Sequence, residues 1–221
     1  MCGRYTLTRF DHPLLERIPA QQAQPTWNRA PGTPAPVVGL NESGQPGVVA
    51  MHWGFRPHFM PDGPELINAR AETVAEKPMF RAAFRRHRCV VPADGFFEWK
   101  PVGERKQPWY IRHRDGDLFF FAGIWTRLPE ASRDGCTHGY AILTTAARGW
   151  INDLHHRQPA ILSESDLEAW MAPDTGPGRL ALLLSGAELT DFEAWPVSTR
   201  VNRPEHDDPD CIAPVEAEKG G

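Results

Sequence analysis

Residues 89–100 read CVVPADGFFEWK, and how that stretch folds decides the architecture around it. Two short runs of Val, Phe and Trp, residue types that suit a half-buried pleated surface, flank a Pro-Ala-Asp-Gly segment that favours a turn. The reading is strand, turn, strand. Alternation along the second strand puts Phe96, Glu98 and Lys100 on one face and Phe97 and Trp99 on the other. Glu98 is then either a solvent-facing edge residue beside Lys100 or a carboxylate desolvated by its aromatic neighbours. In the second case its pKa rises and suits it to proton transfer. The strand pattern alone leaves both open.

The same alternation recurs on either side. PAPVVGL (34–40), the turn NESGQPG (41–47) and VVAMHWGF (48–55) predict a pair of strands. PWYIRH (108–113), LFFFAGIW (118–125) and YAILTTAA (140–147) predict three more, the last two central, and AWPVST (194–199) a late one. Helical periodicity is confined to short pieces. Leu14, Leu15 and Ile18 give one; Pro78 in a first turn, with Phe80, Ala83 and Phe84 following, gives another; Ser165 and Glu168 form a capping box; RLALLL (179–184) closes the set. Arg81, Arg85, Arg86 and Arg88 fall around the other flanks of the second helix, which is the usual pattern of a solvated face. Strands and helices do not alternate regularly, which argues against a doubly wound sheet, and there is no GxGxxG or P-loop. The expected fold is α+β: a single compact domain over residues 1–210, its short, mostly antiparallel strands curved into a barrel-like sheet flanked by short helices. A disordered tail is expected over 211–221.

Composition narrows the class of function. A chain of 221 residues, 41% hydrophobic, supports one core. No apolar run approaches the roughly 18 residues of a membrane span, and the first residues lack a secretory pattern. Cys2, Cys89, Cys136 and Cys211 lie far apart, with no Cys/His cluster at ligand spacing. No metal and no cofactor are expected, and reduced thiols in a cytoplasmic monomer are the simplest reading, with Cys89 a small buried hydrophobe. The net charge of −4 hides an asymmetry: residues 1–162 hold 20 basic and 15 acidic side chains, residues 163–221 hold 4 and 13. Of the 24 basic residues 20 are Arg, whose planar fork suits phosphate and stacks on bases. Genomic bias produces the same preference, so the signal is weak alone.

Reactive groups stand out in four places. Initiator methionine is normally trimmed before a small residue, and trimming here leaves Cys2 with an α-amine and a thiol on adjacent carbons. INARAE (67–72) carries Asn68, Arg70 and Glu72; Glu98 sits between Phe97 and Trp99; LHHRQPAIL (154–162) carries His155, His156 and Arg157. Each has an ordinary reading as a frayed terminus, a strand-end histidine or a surface ion pair. Together, an N-terminal aminothiol with Asn, Glu, His and Arg is a set of groups suited to carbonyl chemistry.

MCGRY, WGF followed by Pro57, NARAETVAEKPMFRAAFRRHRCVVPADGFFEWK, FAGIW, ILTTAA, HHRQPAIL and PVSTRVN occur in order from Met1 to about residue 210. This series resembles the SOS-response-associated peptidase family. The resemblance implies a barrel-like α+β domain with a positively charged groove that acts on abasic sites in single-stranded DNA and becomes covalently joined to them. Carried over, Cys2 matches the nucleophile, Asn68 and Arg70 the NAR site, and Glu98 the glutamate of EW. His155 and Arg157 match the family's H-x-R-M-P motif. Two departures are visible: Gln158 replaces the motif methionine, and Phe59 stands where a tryptophan is frequent.

The chemistry this implies begins with the Cys2 amine, whose ordinary pKa is about 8. It attacks the open-chain aldehyde of an abasic deoxyribose, and the thiol closes a thiazolidine ring. Glu98 would shuttle protons, Asn68 hold the amine or a sugar oxygen, and His155 serve the deoxyribose hydroxyl. Arg4, Arg70, Arg81 and Arg157 would contact phosphates, and Trp53, Phe55 and Phe59 would stack on bases or pack in the core. The expected partner is single-stranded DNA with an abasic site, at the nucleoid and with no membrane involved. A Cys2-dependent thiol peptidase, including one that removes its own Met1, an N-terminal-nucleophile amidase and a non-catalytic DNA-binding module are the competing readings.

Overall fold

In the computed structural model, which describes residues 2–41 and 43–217, the stretch 89–100 is where the chain passes from one sheet to another. Its two strands do not pair. In chain order the strands are β1 (Tyr5–Leu7), β2 (Thr26–Arg29), β3 (Pro34–Leu40), β4 (Pro46–Trp53), β5 (Asn68–Arg70), β6 (Arg88–Ala93), β7 (Gly95–Val102), β8 (Arg105–His113), β9 (Phe119–Arg127), β10 (His138–Ala146), β11 (Arg157–Pro159), β12 (Ile161–Leu162) and β13 (Phe192–Pro196). One sheet runs β13-β8-β7-β1-β2; the other runs β11-β10-β4-β3-β6-β9-β12, with β5 added beside β10. Because β9 also pairs with β10, the second sheet closes into a ring of pairings through β10, β4, β3, β6 and β9. Most pairs are antiparallel; β10 runs parallel to β4 and β5. The α+β expectation therefore holds, with β9 and β10 central.

Among the described residues three α-helices accompany the sheets: α1 (Pro78–Arg86), α2 (Leu167–Met171) and α3 (Pro177–Leu183). The 3.6-residue period of Phe80, Ala83 and Phe84 buries one face of α1. Two expectations need correction. The Ser165–Glu168 capping box does not form: residues 164–166 are a 3-10 turn, and Ser163 instead bonds Asp166 at 2.6 Å. Arg88 is not on a solvated flank but 4% exposed, donating to the carbonyls of Phe84, Arg85, Trp170 and Ala172. At the start of the expected tail, Cys211 is buried, Pro214 bridges Val197 and Val215 N–H donates to the Pro196 carbonyl. Residues 218–221 of the expected tail, and the Met1 whose removal is expected, lie outside the described residues.

The apolar core falls into clusters divided by these sheets. One packs Phe80, Phe84, Trp170, Leu180 and Leu184 around the helices. A second gathers Tyr5, Trp53, Phe96, Phe121 and Tyr140 between the sheets, and Cys2 belongs to it. A third holds Phe97 and Tyr110 against Val201 and Cys211. Alternation along β7 separates the last two: Phe96 faces the cluster of Cys2 and Phe97 the C-terminal segment. No helix is long and apolar enough to cross a membrane.

Candidate active site

Cys2 is fully buried just before β1, its Sγ lying 3.6 Å from the Arg4 carbonyl, to which it donates. Its own carbonyl accepts from Asn68 Nδ2 at 2.9 Å. Asn68 reaches it because β5 runs parallel to β10 with Asn68 opposite Ile142, a residue of the same core cluster. The other amide atom, Asn68 Oδ1, is buried without a hydrogen-bond partner among the described residues. Such an acceptor suits an amine or a hydroxyl.

Glu98 is 1% exposed on the Phe96 side of β7. The edge-residue alternative is thereby removed. Burial lifts its carboxyl from the ordinary range to about 7, against the pull of the positive charge at the amino terminus. Burial also pushes the Cys2 thiol far up, and the nearby Glu98 charge adds to that rise. Nucleophile and acid thus share one low-dielectric enclosure, in which the thiol stays protonated near neutral pH and the carboxyl stands between its two forms. Trp109 stands directly opposite Glu98 in the β7–β8 ladder and packs against the same cluster. Cross-strand partners share a face, which puts the indole on the side of the sheet that carries the carboxyl. Sequence patterning misses Trp109 because strand register is not readable from either strand alone.

His155 precedes β11, and burial, then the amino-terminal charge, lowers its pKa. Arg157 N–H donates to His155 Nδ1 at 3.0 Å. The same Nδ1 lies 3.1 Å from the Arg157 carbonyl, so the backbone of Arg157 holds the ring through this nitrogen in either tautomer.

The expected phosphate and base contacts divide sharply. Arg70 and Arg81 are exposed, as are Arg85, Arg86 and Phe59. Arg4 is engaged: it donates to Asn28 Oδ1 at 2.8 Å and to the carbonyls of Val201 and Asn202 at 2.7 and 3.1 Å. Arg157 is 8% exposed and forks onto Glu72 at 2.5 and 2.9 Å while also donating to the Thr144 carbonyl. Trp53 is fully buried, stacked on Tyr140 and donating to the Ile67 carbonyl at 3.0 Å, and Phe55 packs on Phe80. Arg4 and Arg157 thus have donors engaged within the fold, and Trp53 and Phe55 take the core-packing alternative. Nothing in the sequence marks Glu72 as the partner of Arg157, because an ion pair spanning 85 residues leaves no local signal.

Gln158 answers the question its departure raises. It is 1% exposed, accepts from Arg148 N–H at 2.9 Å and donates to the Ala187 carbonyl at 2.9 Å. A buried amide here is satisfied at both ends and ties two loops together.

The model of the SOS response associated peptidase family matches residues 1–204. Among curated proteins, the chain is 34% identical to Abasic site processing protein YoqW of Bacillus subtilis, covering 96% of this chain and 99% of that one. It is 34% identical to Abasic site processing protein YedK of Escherichia coli, over 97% and 100%, and 30% identical to Abasic site processing protein HMCES of Gallus gallus, over 87% and 67%. Among solved structures, a protein from Bacteroides thetaiotaomicron superposes with a TM-score of 0.78 at 23% identity, over 97% and 100% of the two chains. A phage-related protein from Bordetella bronchiseptica gives 0.72 at 30% identity, over 89% and 94%. A family match over nearly the whole length, bacterial relatives covered almost end to end and a shared fold agree with the enclosed Cys2–Asn68–Glu98 arrangement: this chain belongs to the SOS response associated peptidase (SRAP) family.

Proposed function

We propose that this protein processes abasic sites in single-stranded DNA by becoming covalently joined to them through Cys2 once Met1 has been removed. The observation that carries the proposal is the shared enclosure of Cys2, Asn68 and Glu98: a residue with two nucleophiles on adjacent carbons, an amide holding its backbone, and a carboxyl lifted to about 7. The relatives' name, abasic site processing protein, supplies the substrate class.

The open-chain abasic sugar presents an aldehyde. The Cys2 amine attacks C1′ to give a carbinolamine, which loses water to an imine as Glu98 delivers the departing proton. Sγ then adds to the imine carbon, the thiol proton leaves through Glu98 and the imine nitrogen gains one, closing the thiazolidine. One water is lost overall. A thiol held protonated by burial needs a base beside it at the moment of attack, and a carboxyl near pH 7 is suited to act first as acid and then as base. His155 serves the deoxyribose hydroxyl, Asn68 Oδ1 accepts from the amine, and Arg70 and Arg81 contact phosphates. The mature Cys2 arises by hydrolysis of the Met1–Cys2 bond, for which the same nucleophile and acid are available in the chain itself.

Intact-mass analysis before and after incubation with a single-stranded oligonucleotide bearing one abasic site tests this. The expected result is a protein lacking Met1 that gains the DNA mass less one water, with Cys2→Ala giving no heat-stable adduct. Retained Met1 with no adduct would overturn the reading and bring forward the thiol peptidase, which turns over peptides without DNA.

A further inference from the structure

We propose that Asp94 is the positioning residue for the nucleophile, fixing the register of β1 against β7 so that Cys2 faces Glu98. The inference rests on the reading of Cys2 and Glu98 given above. The ladder between the two strands is short, pairing Tyr5 with Phe96 and Thr6 with Gly95, and β1 is irregular against β2 on its other side. A strand of three residues so weakly laddered is prone to slip, and a slip of one residue turns every side chain to the opposite face.

The Asp94 carboxylate opposes that slip. Oδ1 accepts from the Thr6 hydroxyl; Oδ2 accepts from Thr8 N–H at 2.6 Å, the Thr8 hydroxyl at 2.5 Å and Arg9 N–H at 3.2 Å. Asp94 N–H in turn donates to the Thr6 carbonyl at 3.0 Å. Thr6 has one hydroxyl proton and gives it to Asp94, so it accepts from the Tyr110 hydroxyl at 2.9 Å. The chain Tyr110 to Thr6 to Asp94 is directed, and all three side chains are nearly inaccessible. Gly95 completes the lock, because a Cβ there would overlap the Tyr110 hydroxyl. A single carboxylate thereby holds residues 6, 8 and 9 at once, and Cys2 lies four residues before the first of them. The Asp-Gly pair that reads as turn chemistry in sequence is a clamp on the amino-terminal strand.

The test compares wild type, Asp94→Asn and Leu180→Ala, the last loosening the separate core cluster around the helices. Alkylation of each cysteine by iodoacetamide is followed by peptide mass spectrometry, with buried Cys89 and Cys211 as internal references. Adduct formation is followed at increasing concentrations of abasic-site DNA. For Asp94→Asn the expected result is Cys2 alkylation at least tenfold faster, the reference cysteines unchanged, and the limiting adduct rate at least tenfold lower with the half-saturating DNA concentration unmoved. Leu180→Ala leaves the Cys2 rate at the wild-type value. Equal acceleration at all cysteines, or no change at Cys2, overturns the proposal. Should Asp94→Asn not fold, Thr8→Val removes one bond to Oδ2 and is expected to shift both readouts the same way by a smaller factor; unchanged readouts there overturn it too. If wild type forms no adduct, the proposed chemistry fails while the selective alkylation still decides the clamp.

Discussion

Arg157 and Arg81 carry the same guanidinium and read alike in sequence, yet the fold uses them in opposite ways. Arg157 is buried and spent on Glu72 and the Thr144 carbonyl; Arg4 and Arg88 are likewise committed to carbonyls and an amide. Arg81, Arg85, Arg86 and Arg70 stand exposed. The difference teaches that an arginine-rich composition does not measure how many phosphates a chain can hold. A guanidinium has five donors, and a chain with many strand ends and loop carbonyls consumes them internally. Glu98 is the exception on the buried side: it is as enclosed as Arg157, but burial works against its charge.

The largest effect that would sharpen this contrast is at Glu98. Its folded pKa lies above its ordinary value, so between about pH 4.5 and about 7 the folded chain holds a proton that the unfolded chain has released. Stability contributed by the neutral carboxyl is therefore full below that window and is lost as pH rises through about 7. Glu98→Gln is expected to raise stability by about 3 kcal/mol at pH 8 and to match wild type near pH 4, measured by denaturant unfolding at both pH values. It should slow adduct formation as well. A Glu98→Gln protein no more stable than wild type at pH 8 would break the idea that this carboxyl is kept at a cost for its chemistry.

Arg157→Ala is expected to act in the other direction. It strips the buried Thr144 carbonyl of a charged donor and leaves Glu72 alone, which should cost roughly 2–3 kcal/mol, seen as a lower denaturation midpoint. If instead stability is unchanged and DNA affinity falls, Arg157 belongs with the exposed group.

Gln158→Ala leaves Arg148 N–H and the Ala187 carbonyl without their partner, with an expected cost of about 1–2 kcal/mol by the same measurement. Replacing Arg81 and Arg85 together with Ala should change stability by no more than about 0.5 kcal/mol. It should weaken binding to intact single strands. For every phosphate no longer neutralised, the dependence of log affinity on log salt should become shallower by roughly one. An unaltered salt slope would remove α1 from the DNA track.

Much of the framework was legible because it rests on local periodicity. Phe80, Ala83 and Phe84 announced α1, and the alternation of Phe96, Phe97, Glu98 and Trp99 gave the two faces of β7 as they are found. The capping box at Ser165 misled because the turn tightened to 3-10 geometry, which puts the capping oxygen elsewhere. For the site, the residue types at Cys2, Asn68, Glu98 and His155 and their family resemblance were visible in the chain; their mutual distances were not.

The sequence by itself determined the elements, the family and the chemical character of the reactive groups, since these depend on residues near one another in the chain or on the identity of single side chains. Tertiary structure alone decided which arginines and aromatics are spent inside the fold, that β6 and β7 enter different sheets, and that Asp94 holds β1. Each of those outcomes is set by partners far away in sequence. Burial, hydrogen-bond satisfaction and strand register are properties of the assembled surfaces, and no local pattern encodes which distant carbonyl, carboxylate or strand will meet a given side chain.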